Sequence, residues 1–407
     1  MSIPQTEQKK RSSMQTNKKI LTVVGVILIA ANLRAPITSV GPVLSSIRDH
    51  LGISNTLAGT IPTAILFTFA LFSPFAPKIT RRLSMELTLF MSIALLFVGI
   101  GIRSFGRVDT LFLGTVIIGS SIAICNVLLP SFIKHHFATK LGLMTGLYAV
   151  SMNLFGAIGS GISAPISSSL GFGWSGSLGC WGILTLFTMI FWVPKLRNNQ
   201  ESLDFFRKEN KKRPISLWRS KLAWNVTLFM GSQSFVFFTV ISWIPEILET
   251  KGLNANEGGW MLSLMQLSML PATFIVPILA GRFSKQQILV WISFLLLVVG
   301  LMGILYGVSF LIPLWMIMIG IGIGMAFSLA MMFFSLRTKD TQEAAELSGM
   351  AQSLGYLLAA IGPILFGWLH DMTYHWIVPL FMLIFISVII LITGVNSGKN
   401  VYVTSAK

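Results

Sequence analysis

The chain has 407 residues, 54% of them hydrophobic and only 11% charged, with a mean hydropathy of +0.77. Soluble domains carry about 25% charged residues, so this chain has too little polar surface to fold as one or several of them. The 30 Lys and Arg exceed the 14 Asp and Glu and give a net charge of +16, which in a soluble protein points to nucleic acid. Here apolar segments separate the charges, and nucleic acid is not an expected partner.

A bilayer core about 30 Å thick takes roughly 20 apolar residues of helix. The basic stretch Lys9, Lys10, Arg11, Lys18 and Lys19 before the first apolar run imitates a signal peptide, but similar runs recur along the whole chain. Twelve spans are predicted. The first six lie at 20–47, 55–76, 86–102, 110–133, 141–163 and 174–193, the second six at 222–247, 257–279, 288–308, 312–335, 346–369 and 376–394. The fold class is therefore an all-α membrane protein. Its parts are an N-terminal tail (1–19), a six-helix half (20–194), a central loop (195–221), a second six-helix half (222–395) and a C-terminal tail (396–407). Cys125 and Cys180 both fall within spans and read as small hydrophobes, not as a disulfide framework.

Orientation follows from counting Lys and Arg on each side. The two tails, the central loop and the even-numbered loops hold 25 of the 30, whereas Arg48, Arg103, Arg107 and Lys251 fall on the opposite side. Both termini are thus expected in the cytoplasm of a cell whose plasma membrane the chain crosses. Arg34 is the one basic residue left inside a span.

The halves repeat at an offset of about 200 residues. Gly52-Ile53-Ser54 with Gly59 corresponds to Gly252-Leu253-Asn254 with Gly259, and Trp174 corresponds to Trp376. Gly146 and Gly159, thirteen residues apart, correspond to Gly349 and Gly362. Matching spans run in the same direction, so the predicted symmetry is a pseudo-two-fold along the membrane normal, with a site at midplane between the halves.

Arg34 is the strongest functional signal. It lies about 20 Å into the first span at 1.5 Å per residue, where an Arg costs about 2.5–3.5 kcal/mol to insert. Glu86, Glu246, Glu257 and Glu346 all sit near span ends, so a bound anion is one candidate counter-ion; backbone carbonyls and amide side chains are the other. Thr38 and Gly41 are expected on its helix face. Asn126, Tyr148, Asn153, Gln233, Gln266, Gln352 and Tyr356 are further polar residues at mid-span, each suited to substrate contact or to interhelical hydrogen bonding. Phe237 and Trp243 are candidate walls, although a lipid-facing or packing role is the favoured reading of either one. The run Gly320-Ile-Gly-Ile-Gly324 lacks the strand and spacing of a nucleotide loop and reads as a close-packing seam. His135 and His136 read as part of a solvated basic patch with Lys134 and Lys140, with no acidic partner nearby. No catalytic constellation, metal site or cofactor motif is present, and an enzyme is not expected.

Several segments resemble the major facilitator superfamily, and within it the cyanate permease and nitroimidazole transporter family, CynX/NimT. They are Asn32-Leu-Arg-Ala-Pro-Ile-Thr-Ser-Val-Gly-Pro42, Asn126-Val-Leu-Leu-Pro130 with Lys134, Gly142 to Tyr148, and Gln233-Ser234 with Trp243-Ile-Pro245. Gly362-Pro363 with Gly367 and His370-Asp371 completes the set. One departure stands out: the loop after the second span reads Ala76-Pro-Lys-Ile-Thr-Arg81-Arg82, without the acidic residue usual in the superfamily. The resemblance implies a secondary transporter that rocks two halves about a central site and moves a small anion or a small polar heterocycle. A monomer in the lipid bilayer is expected, with a small-molecule substrate as partner and the coupling ion, such as a proton, left open. The alternative is a receptor or scaffold whose basic central loop binds a partner or anionic lipid; that loop is too short for a folded domain, and topology already explains its charge.

Overall fold

The computed structural model describes residues 20–404 except 54, 81, 169, 197–216 and 254. The tail 1–19 and most of the central loop therefore lie outside the described residues. Within them the chain is helical, with twelve helices long and apolar enough to cross a membrane. We label them α1 (Ile20–Val43), α2 (Asn55–Phe72), α3 (Met85–Arg103), α4 (Val108–His136), α5 (Leu141–Ser168) and α6 (Gly173–Leu196). The second half comprises α7 (Lys221–Glu249), α8 (Ala255–Arg282), α9 (Gln287–Tyr306), α10 (Ile312–Leu336), α11 (Thr341–Thr373) and α12 (Ile377–Ser397). The end of the bundle where α6 leads to α7 is called the loop end, the other the far end. The repeat is visible in the turns: Gly52 and Gly252 both adopt positive φ, 61° and 92°, which a glycine tolerates without strain.

The first span is not the continuous helix expected over 20–47. It is interrupted at Leu33 and Arg34, restarts as the short helix Ala35–Thr38, passes through a 3-10 turn at Gly41–Val43 and ends as the helix Leu44–Leu51. Pro36 and Pro42 lack the N–H that would bond back along the helix. Arg34 thereby becomes the residue at the break, and its carbonyl accepts the N–H groups of Ile37 and Thr38 at 3.0 Å each.

Two further expectations are corrected. Arg34 is not the sole buried guanidinium. Arg103 is 0% exposed, because its Nη1 turns inward to donate to the Pro36 carbonyl at 2.7 Å beside the break in α1. Arg337, just past α10, is buried too; it donates to Gln286, and desolvation pushes its pKa down to about 10. His135 and His136 close α4 rather than lying in a loop, and His136 Nε2 has an acidic partner, Glu86 Oε1, at 3.3 Å.

The halves meet on the loop side. Lys134 Nζ donates to the carbonyls of Ser335 and Thr338 and to Thr338 Oγ1, and Ser335 Oγ donates to the Pro130 carbonyl. Ser353 Oγ donates to the Ala70 carbonyl and Gln352 Nε2 to the Asn126 carbonyl. The helices approach closely there: a Cβ on Gly142 would lie 2.3 Å from the Pro277 oxygen, and one on Gly146 2.8 Å from the Phe274 oxygen. The glycines of 320–324 play the packing role expected of them, with Gly320 and Gly324 against the Met265 and Met269 carbonyls of α8 and Gly322 against α9.

Candidate functional site

Above the loop-side contact the halves enclose a cavity of about 420 Å³. Helices α1, α2, α4 and α5 of one half and α7, α8, α10 and α11 of the other contribute its walls; α3, α6, α9 and α12 stand outside. A side chamber of about 430 Å³ runs between α5 and α8 and shares Arg34, Thr38, Phe237, Gln266 and Met269 with the first.

Arg34 owes its place to local sequence. The proline-induced break turns its side chain away from the helix path, and α5 supplies a glycine where it crosses. A Cβ on Gly156 would stand 2.6 Å from Arg34 Cγ. Thr38 Oγ1 holds the two helices together, donating to the Gly156 carbonyl at 2.7 Å. The guanidinium carbon lies over the Phe237 ring, 5.0 Å from its centroid, a cation–π contact made across the two halves. No Asp or Glu among the described residues lines either chamber. Among the described residues no hydrogen bond or ion pair engages the guanidinium, so its donors face the cavity.

The other sequence candidates divide into three positions. Asn126, Tyr148, Gln233, Gln266 and Tyr356 line the central cavity with Arg34. Tyr148 donates to Asn126 Oδ1 at 3.3 Å, Gln233 donates to Ser234 Oγ at 2.7 Å, and the Tyr356 ring meets Phe69 across the halves at 4.9 Å. Asn153 lines only the side chamber. Gln352 is 0% exposed and sits behind the wall, donating to the Asn126 carbonyl and to Ser348 Oγ. Thr38 lines the cavity as its spacing suggested, but Gly41 does not, because the helix they were expected to share is broken between them.

Sequence reasoning missed most of the apolar wall: Phe69, Phe238, Phe327, Met152, Met269 and Met331. An aromatic in an apolar span carries no mark of whether it faces lipid, core or cavity. Trp243 is not a wall; its Nε1 donates to the Pro363 carbonyl at 2.9 Å and its ring packs against Phe366 and Trp376. Asn32, in the first-span motif, is a structural lock, donating to Thr188 Oγ1 at 2.8 Å and accepting from Thr185 Oγ1 at 2.7 Å.

Residues 24–363 match the family model of the Major Facilitator Superfamily. The chain belongs to that superfamily. It is 45% identical to the uncharacterized transporter YycB of Bacillus subtilis over 95% of this chain and 96% of that one. It is 35% identical to the 2-nitroimidazole transporter of Escherichia coli (96% and 98% covered), and 23% identical to the cyanate transport protein CynX of Escherichia coli (86% and 90%). These place it among superfamily transporters of the CynX/NimT type. Among solved structures, the proton:xylose symporter XylE superposes with a TM-score of 0.73 over 96% of this chain and 98% of that one. At 13% identity this likeness is one of fold alone.

Proposed function

We propose that this chain is a secondary transporter that carries a small anion or small polar heterocycle across the plasma membrane by alternating access. Arg34 is its central anchor, and Asn126, Tyr148, Gln233, Gln266 and Tyr356 complement it in the main cavity. Asn153 extends the polar lining into the side chamber, and Gln352 acts by fixing the backbone of Asn126. The observation that carries this reading is the Arg34 guanidinium, which faces a largely apolar cavity with no carboxylate among the residues that line it. A buried cation in such surroundings is costly unless a partner meets it, and a ligand oxyanion is that partner. The relatives named for 2-nitroimidazole and cyanate bracket the same chemistry.

The positive charge of the loop end argues that this end, with both termini, faces the cytoplasm. Contacts between the halves concentrate there, so the arrangement is the outward-facing member of the transport cycle. With no carboxylate or histidine among the described lining residues to carry a proton, coupling runs through the substrate's own protonation state or is absent. The test is uptake into proteoliposomes of small anions and azoles by the wild-type chain and by Arg34→Gln. Loss of uptake in the variant is expected, and equal uptake by both would refute the role given to Arg34.

A further inference from the structure

We infer that the ligand of the central cavity is a planar, ring-bearing monoanion: one flat aromatic or heteroaromatic ring carrying a single oxyanion group such as a carboxylate. This rests on the anion-anchor reading of Arg34 and narrows it. Three features of the cavity converge on it, namely its size, its charge count and the material of its walls.

Size comes first. Ligand pockets run from about 300 to 1,000 Å³ for drug-sized molecules, and the cavity measures about 420 Å³, so it has room for at least one ring with its substituents. A two- or three-atom ion held at Arg34 would leave most of that space to water against Phe69, Phe237, Phe238 and Phe327, surfaces that gain nothing from it. A ring covers more of those walls than such an ion does and removes apolar area from water on both itself and the walls.

Charge sets the second limit. One guanidinium with no carboxylate among the described lining residues neutralises one negative charge. A dianion would bring an unmatched charge into an apolar chamber, and a cation would face the guanidinium across it. Arg presents its N–H donors as a planar fork that grips a carboxylate in two parallel hydrogen bonds.

The third feature is the partner of that fork. Arg34 from one half lies over Phe237 from the other at 5.0 Å. Contact with the ring face leaves the N–H edges of the guanidinium for the anion, so the ligand's ring extends from Arg34 along the aromatic wall. Flat rings gain from offset or edge-to-face contact with such walls in a way that puckered saturated rings do not. Asn126, Tyr148 and Gln266 provide hydrogen-bonding groups for a ring substituent or heteroatom. A ligand seated this way touches both halves at once, which is what a substrate must do to favour their closure around it.

The test is equilibrium binding to the purified full-length chain in detergent. Four carboxyl-derived probes are used, namely benzoate, cyclohexanecarboxylate, benzamide and acetate, with cyanate as the small anion. Benzoate is expected to bind about fivefold or more tighter than cyclohexanecarboxylate, which keeps the charge and loses planarity. It should bind about tenfold tighter than benzamide, which keeps the plane and loses the charge, and about a hundredfold tighter than acetate, which loses the ring. Phe237→Leu should bring benzoate and cyclohexanecarboxylate together, and Arg34→Gln should bring benzoate and benzamide together, each in a protein that still unfolds in a single cooperative thermal transition. Equal affinity for benzoate and cyclohexanecarboxylate in the wild type overturns the planar-ring inference, as does tighter binding of cyanate than of benzoate. Either result leaves the transporter reading standing. Failure of every anion and azole to be bound or taken up in proteoliposomes sinks that reading itself.

Discussion

Lys134→Met is the substitution that most directly tests how the halves are held together at the loop end. Lys134 lies in the last turn of α4, and its ammonium reaches across to the end of α10, where the final carbonyls of a helix lack N–H partners and carry the negative pole of the macrodipole. It donates to the Ser335 carbonyl at 3.0 Å, to Thr338 Oγ1 at 2.8 Å and to the Thr338 carbonyl. Hydrogen bonds to a charged group are worth about 1.5–3 kcal/mol each when buried. These are only partly buried, and when the halves part the ammonium regains water, so the net preference for the closed loop end is about 2 kcal/mol for the set. Methionine keeps the length of the stem and removes all three donors. A loss of about 2 kcal/mol shifts the ratio of outward- to inward-facing molecules by about thirtyfold. The assay is labelling of a cysteine placed at Ser242, an exposed position on the cavity wall. A membrane-impermeant maleimide is added from the far side, with Cys125 and Cys180 replaced by serine. For any parent ratio below about 28:1 the outward-facing fraction, and with it the labelling rate, falls more than twofold, and Lys134→Arg restores it. A rate within twofold of the parent in a well-folded Lys134→Met protein refutes the latch.

Gly142→Ala places a methyl group 2.3 Å from the Pro277 backbone oxygen, so it should force the loop end apart and slow the same labelling reaction without any change of charge. Gly156→Ala puts a Cβ 2.6 Å from Arg34 Cγ; ligand affinity should drop about tenfold through displacement of the guanidinium, whereas Gly101→Ala, on α3 away from both chambers and with nothing within 4 Å of its Cβ, serves as the neutral control in the same titration. Asn32→Ala removes the buried bonds to Thr185 and Thr188 and should lower stability by about 1–3 kcal/mol in a denaturant or thermal melt, with ligand affinity kept, since Asn32 is absent from the cavity wall. Arg103→Met strips the cap from the Pro36 carbonyl beside the broken segment, so it should weaken ligand binding through Arg34 as well as stability, and the titration and melt together separate it from Asn32→Ala.

Much of the architecture is legible from composition because the bilayer imposes a simple length rule on apolar helices, and the twelve spans fall close to where the runs place them. Arg34 stands out for the same reason: a charge in mid-span is rare enough to be read without a structure. Arg103 is the instructive failure. By sequence it ends a span and counts as an outward loop charge, yet the break in α1 leaves the Pro36 carbonyl without a helical donor, and the guanidinium turns inward to supply one. A broken helix needs knowledge of which carbonyls are orphaned, and that is a tertiary fact. Lys134 hid similarly among residues explained by topology, because its partners lie about 200 positions away on α10 and just beyond it. Apart from Phe237, the aromatic wall was invisible for lack of any periodic contrast in spans that are apolar all round.

The thirteen-residue glycine spacing shared by α5 and α11 connects the repeat to motion. Thirteen residues advance an α-helix by about 20 Å and turn it by about 220°, so the two glycines of a pair face different neighbours at different depths. Gly146 meets the Phe274 carbonyl and Gly349 the Ser73 carbonyl, both across the seam between the halves. Gly159 meets the Ala35 carbonyl and Gly362 the Thr239 hydroxyl, both within their own half. Each helix is therefore packed at close range to the opposite half near the loop end and to its own half nearer the far end. In the proposed alternating-access cycle, rocking of rigid halves would separate the first contact and preserve the second. It carries Arg34, held against Gly156 on α5, as part of one half, while Phe237 travels with the other. On that proposal the Arg34–Phe237 contact at the cavity is the point at which a bound ligand would sense both halves, and the glycine seams would let the halves move without dismantling the site.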